Sequence, residues 1–255
     1  MIIFLYDKTF EGLLTAVFDA YFRKTFPDVL LAEGEPLPLF YNEVFTVCAD
    51  EEKTNRVWSG LQKKLSASAL SCITTCWLSE LPDIDMLLFR YIRKAIDAPR
   101  SIEVNFGDQD VLEVSKVWKK VDWEQTRLIQ FARFQKAMDG TFFAAFEPLY
   151  NVLALTIPHF KDRFADQKWV IYDLKRQYGY YYDLQTVTEI TFDSHAAHLV
   201  SGMLDESLMA EDEKLFQKLW KTYFKSIAIK ERINPRLHKQ NMPVRFWKYL
   251  IEKQR

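Results

Sequence analysis

The sequence predicts an α+β protein: a small N-terminal α/β unit over residues 1–98, then an antiparallel sheet packed with helices over residues 99–255. Three observations predict it. The chain opens on an apolar run, Ile2 to Tyr6, followed by a helical stripe. An Asp139-Gly140 pair stands between two aromatic runs, as in a hairpin turn that needs positive φ. Three close-spaced runs, KWVIYDL, YGYYYDL and TVTEITF, are joined by short polar turns, the pattern of a meander.

The elements follow in order. Ile2 to Tyr6 reads as a buried strand, and Asp7 is placed to cap the helix after it. Phe10, Leu13, Leu14, Val17, Phe18, Tyr21 and Phe22 give that helix its i, i+3, i+4, i+7 stripe. Pro27, Gly34, Pro36 and Pro38 punctuate the next stretch. Glu43 to Cys48 reads as a second strand. Asp50, Glu51 and Glu52 open a helix that Lys63 and Lys64 close, charges that match the helix dipole at both ends. Further helices are expected from about Ala67 to Leu78 and from Asp83. Ala98-Pro99-Arg100 marks the domain boundary.

Beyond it, a helix is expected from about Gln109 to Val121. The hairpin FARFQKA–MDG–TFFAAFEP comes next, then a helix to about Phe164 with Pro158 late in it. After the meander, Ser194 to Ala210 reads as loop or short helix. The last long helix, about Glu211 to Lys230, is expected to bury Phe216, Leu219, Trp220, Tyr223, Phe224 and Ile227. Its other face carries Lys214, Lys218, Lys221 and Lys225. Pro243 begins a short terminal helix, with Phe246, Trp247, Leu250 and Ile251 inward.

Composition narrows the function. The chain has 255 residues and a net charge of −1, yet Lys221 to Arg255 holds ten Lys or Arg against only Glu231 and Glu252. This tail therefore sits near +8 and the remainder near −9. A folded basic segment with interleaved aromatics suits a polyanion, foremost nucleic acid. The seven glycines all stand alone, so neither GxxxxGK[ST] nor GxGxxG occurs, and these two phosphate-cradling fingerprints are excluded. The start has no basic n-region or cleavage site, and no apolar run is long enough to span a bilayer. A cytoplasmic setting is expected.

Local motifs offer chemistry, each with a plainer reading. Cys72 and Cys76, one helical turn apart, are read as packed core rather than a redox or metal pair. His195-x-x-His198, near Asp193 and Asp205, has no HExxH, paired CxxC or third local histidine to complete a zinc site and is read as loop or cap. No metal or cofactor is expected. His159 and Arg163 share a helix face and suit a phosphate grip or acid–base work, or else an amphipathic helix end. Asp173 either holds Arg176 or Arg163, or simply forms a turn. Arg133 and Lys136, if both lie in a regular strand, face opposite ways, so one of them at most joins a common patch. Arg232 and Arg236 flank the Pro235 turn, where two guanidiniums suit adjacent phosphates. Lys239 and Arg245 extend this basic set. Phe246 or Trp247 suits base stacking, or else the core.

The runs FARFQKAMDGTFFAAFEP, HFKDRF, KWVIYDLKR and KERINPRLHKQNMPVRFWKYL, with the opening MIIFLYDKTFEGLLTAVFDAYF, resemble a bacterial family of probable DNA metabolism proteins. The likeness spans nearly the whole chain. It implies a domain encoded beside a radical-SAM protein related to spore photoproduct lyase, and fused in some relatives to a uracil-DNA-glycosylase-like domain. It assigns no catalytic residues. The expectation is a DNA-binding accessory protein in DNA repair or modification, with a radical-SAM partner. Arg232, Arg236, Lys239 and Arg245 would contact phosphates, and Arg133, His159, Arg163, Asp173 and Arg176 would form a second polar cluster. Two alternatives stay open: an enzyme acting on a nucleotide or base through His159 and Asp173, and a protein-interaction module.

Overall fold

The structure is a computed structural model that describes residues 1–192, 204–205, 207–227, 229, 232 and 234–253. Asp193, His195 and His198, and most of the stretch expected as loop from Ser194 to Ala210, lie outside the described residues. The chain divides into two compact units, Met1–Asp122 and Trp123–Arg255. The division falls inside a long helix, α5 (Gln109–Phe131), and not at Ala98-Pro99-Arg100. Helices and both parallel and antiparallel strand pairs are present, so the fold is α+β.

The first unit is built on a three-stranded parallel sheet in the order β2-β1-β3. The strands are β1 (Ile2–Tyr6), β2 (Val29–Ala32) and β3 (Glu43–Val47). A central strand of a parallel sheet is covered on both faces, which is why β1 is a continuous apolar run. The short edge strand β2 is hidden in sequence by the prolines and glycine around it. Helix α1 (Phe10–Arg23) buries Leu13, Leu14 and Val17, while Phe22 remains exposed and stacks on Phe18. Its N-cap is Thr9, whose hydroxyl accepts from Gly12 N. Asp7 acts one step earlier, accepting from the amide and hydroxyl of Thr9. Helices α2 (Glu51–Gln62), α3 (Ala67–Trp77) and α4 (Ile84–Asp97) complete the unit. Asp50 caps α2 by accepting from Lys53 N at 2.9 Å, the arrangement read from sequence. Cys76 is fully buried and its thiol approaches the Val114 carbonyl, so it packs as core.

The second unit carries a five-stranded mixed sheet in the order β4-β5-β6-β7-β8. Strands β4 (Gln135–Lys136) and β5 (Phe142–Phe146) form the hairpin, with Gly140 at φ 83° in its turn. Helix α6 (Leu153–Arg163) carries the chain from β5 to its parallel neighbour β6 (Trp169–Asp173). Strands β7 (Tyr178–Tyr182) and β8 (Val187–Ile190) follow as the antiparallel meander.

One local difference moves a candidate residue. No breaker stands between Val121 and Phe131, so α5 runs on through Trp123 and Glu124 to Phe131. The first hairpin strand shrinks to Gln135–Lys136, and Arg133 precedes it. Arg133 therefore does not alternate with Lys136 across the two faces of one strand.

The C-terminal segment comprises α7 (Glu213–Ser226), α8 (Pro235–Asn241) and two 3-10 helices, Val244–Tyr249 and Ile251–Lys253. Phe246 and Leu250 pack with Phe131 in one buried cluster, which Met242 and Trp247 flank. Tyr249 packs on Phe146 of the sheet at 5.7 Å between ring centroids. The tail is thus folded onto its own unit. Among the described residues, no helix is long and apolar enough to cross a membrane.

Candidate nucleic-acid interface

The basic tail divides into cations spent on structure and cations left to solvent. Arg245 pairs with Glu124, whose side chain is 1% exposed, and Lys248 pairs with Glu147. Arg245 is therefore an internal strut, not a phosphate contact on an open face. Phe246 is 2% exposed and likewise closed to a base. Asn234 caps α8 by accepting from Leu237 N at 3.0 Å, with Pro235 as the first helical residue. This cap holds Arg236 and Lys239 on an exposed turn, close in sequence to exposed Arg232. On α7, Lys218 and Lys225 are exposed and Lys221 is half-buried. Among the described residues, none of these six forms an ion pair.

The apolar face of α7 departs from expectation. Phe216 is 57% exposed and Tyr223 54%, with Leu219 and Trp220 also open. These side chains stand over a groove of about 1090 Å³ instead of closing a core. Phe134, Phe142, Phe164 and Trp169 line the rest of its aromatic wall. Arg133, Lys136 and Arg163 bring positive charge to it, and Asp212 and Glu213 negative charge. Lys136 pairs with Asp212 at 2.9 Å. Glu213 is buried, where it accepts from Lys136 N and from the Gln217 side chain. Arg163 lies over the Phe164 ring and forms no ion pair among the described residues.

Arg133 is held from two sides. Its guanidinium stands 5.6 Å from the Trp220 ring and donates to Glu252 at 2.8 Å. The Trp220 indole donates to the same carboxylate at 2.9 Å. Burial works to raise the pKa of Glu252, but Arg133 and Trp220 outweigh it and hold the carboxyl below the ordinary glutamate range. The Glu252 side chain is 0% exposed, so solvent barely screens the pair. A depressed native pKa means that the unfolded chain binds the proton more readily. The resulting stability is present above the ordinary value of about 4.3 and is shed as acid titrates the native carboxyl below it. Glu252→Gln should therefore lower stability at neutral pH, and its deficit against the parent should shrink towards pH 3. Urea unfolding across pH 3 to 7 reads this directly; a constant deficit would refute it.

The second polar cluster expected from sequence is not one cluster. Asp173, at the end of β6, is fully buried and accepts from the amides of Lys175 and Arg176 and from Arg176 Nη1 at 2.8 Å. Burial pushes its carboxyl above the ordinary range, and those donors offset only part of the rise. Arg176 also donates to the carbonyls of Pro148 and Leu149. This pair is a turn lock joining the β6–β7 corner to the segment after β5. His159 is exposed on α6, edge-on to the Phe160 ring at 5.5 Å between centroids. Both oxygens of Asp173 are committed elsewhere, so it does not orient His159. Arg133 and Arg163 do come together, along the groove. Sequence reasoning missed the groove because an amphipathic stripe on α7 reads the same whether it closes on a core or stands over an open cleft. Among the described residues, no group of three His, Cys, Asp or Glu is placed to hold a metal.

No curated protein matches this chain. A solved structure of a pGpG-specific phosphodiesterase, PggH, from Vibrio cholerae is similar at 11% identity, over 89% of this chain and 99% of that one, with a TM-score of 0.34. A likeness that loose carries no argument about activity. A family model described as a domain of unknown function, DUF4130, matches residues 82–252. That span contains the groove, the exposed cations of α7 and α8 and the buried struts of the tail, and on it the chain belongs to the DUF4130 family.

Proposed function

We propose that the second unit binds DNA, and that the protein serves as an accessory factor in DNA repair or modification beside a radical-SAM partner. One observation carries the binding: Lys218, Lys221, Lys225, Arg232, Arg236 and Lys239 have no carboxylate partner among the described residues. A cation already paired inside the protein gains little from a phosphate, whereas an unpaired one releases counterions from DNA on contact. The chain as a whole carries −1 while Lys221 to Arg255 sits near +8, so positive charge is in net excess here and in net deficit elsewhere. The repair setting and the partner rest on the resemblance to probable DNA metabolism proteins.

The test is the salt dependence of DNA binding by the full chain. Affinity should fall with salt on a log–log slope of about −0.9 for each phosphate neutralised on duplex. Replacing Arg232 and Arg236 together with glutamate should flatten that slope by about two phosphates' worth and weaken binding at least tenfold at low salt, by the same counterion rule. Both side chains are exposed, so the thermal transition should not move. Unchanged affinity and slope in the double variant would overturn the phosphate role of these residues.

A further inference from the structure

Trp169 supplies the observation that sharpens this reading. It begins β6, is 1% exposed and lines the groove. Its indole Nε1–H is buried with no acceptor among the described residues. A buried donor left unpaired is costly, and native structures rarely tolerate one without a role for it. The ring itself is fixed. Trp169 sits beside Phe142 and Tyr182 in the strand register, and its ring packs on Tyr182 at 5.3 Å and Phe160 at 6.2 Å between centroids. The donor is therefore rigid.

The surroundings define what would accept from it. Phe134, Phe164, Phe216 and Tyr223 present flat apolar surface to the same groove. Arg163 adds a cation that forms no ion pair among the described residues. The groove, at about 1090 Å³, is slightly larger than most ligand sites, which occupy roughly 300–1,000 Å³. A planar ring with a carbonyl or ring nitrogen on its edge, carrying a phosphate, matches all three features. A peptide's backbone carbonyls would also accept from the indole, but its aliphatic side chains bring neither a planar ring to the walls nor a phosphate to Arg163.

We infer that the groove receives an unstacked nucleobase from single-stranded DNA, the base edge accepting from Trp169 Nε1–H as the side chains that now close over that atom part, and the neighbouring phosphate resting on Arg163. This deepens the DNA-binding proposal and rests on it. The cations of α7 and α8 track the backbone, and the groove takes the base. Base stacking on aromatic walls and backbone tracking by cations are the two halves of single-strand recognition.

The experiment compares three labelled 12-mers on the full chain by fluorescence anisotropy: oligothymidylate, the same sequence paired as duplex, and a strand of abasic sites with equal phosphates. The single strand should bind at least tenfold more tightly than the abasic strand, since stacking contributes appreciably for each base. Trp169→Phe keeps a ring but removes the donor, and should cut that ratio about five- to tenfold, the worth of one hydrogen bond, without changing abasic affinity. Phe216→Ala, at a 57% exposed wall position that does not threaten folding, should also lower the ratio. Equal affinity for the base-bearing and abasic strands would overturn the base site while leaving the phosphate track standing. Duplex binding as tight as the single strand would also overturn it. A ratio unmoved by Trp169→Phe and by Phe216→Ala would remove the groove from recognition. Failure of every strand to bind would instead overturn the DNA-binding reading itself.

Discussion

Replacing Arg245 with alanine is expected to destabilise the second unit by about 3–5 kcal/mol, the range for stranding a buried charge. Glu124 is the reason. Its side chain is 1% exposed, one oxygen accepts from Leu149 N at 2.9 Å, and the other is engaged by Arg245. Through this carboxylate, the end of α5, the segment after β5 and the C-terminal 3-10 helix meet at one point. Arg245 lies deep enough that its own Nε is buried without an acceptor among the described residues. Without the guanidinium, Glu124 keeps one neutral donor, and solvent reaches it only through the space the partly exposed Arg245 side chain vacates. Replacing both residues with methionine should recover much of the loss, because the desolvation cost goes with the pair. Urea unfolding of the two single variants and the double variant gives the coupling. Additive losses would show that the residues do not act as a unit.

Gly179→Ala is the second large effect. Gly179 sits in β7 opposite Tyr172 of β6. A Cβ there would lie 2.4 Å from the Ile171 carbonyl oxygen, 2.6 Å from Tyr172 Cδ2 and 3.1 Å from Tyr172 Cα. Two of these three atoms are backbone, in a strand buried at every position, so they yield only if the ladder shifts. β7 pairs on both sides, with β6 and β8, and a shift of one disturbs the other. Overpacking of this kind costs about 1–3 kcal/mol where side chains can move aside, and a backbone collision belongs at or above the top of that range. The same shift would displace β6, which carries Trp169 and Asp173. Thermal unfolding measures the loss, and a transition within a degree of the parent would refute the close approach.

Much of the architecture was legible in order along the chain. The continuous apolar run of β1 reflects a strand covered on both faces, and Asp50 announced α2 through its cap. The three close-spaced runs after Gln167, parted by short polar turns, announced β6, β7 and β8. These signals are local: a period, a cap or a turn is set by neighbours in sequence. The misses have equally physical origins. β2 is a four-residue edge strand among prolines, too short to show a period. The extension of α5 to Phe131 took the first residue of the run that read as strand, and only Gln135–Lys136 of that run pairs. Phe22 and the stripe on α7 kept helical spacing and stayed open.

The candidate site was the least legible part. Arg232, Arg236 and Lys239 stand as expected on the surface. Arg133, Arg176 and Arg245 are each claimed by a carboxylate, in two cases one more than 100 positions away in sequence. Trp169 carried no mark that set it apart from any other core aromatic.

The amino-acid order alone determined that strands and helices mix, where most of them begin, and that positive charge gathers at the C-terminus, because periodicity, capping and composition are written within a few residues. Only the tertiary structure decided which of those charges remain unpaired, and that an amphipathic helix overhangs a groove with an unanswered indole N–H. Pairing and burial depend on what folding brings alongside: Glu124 beside Arg245 and Glu252 beside Arg133 are neighbours in space, and no local pattern encodes either.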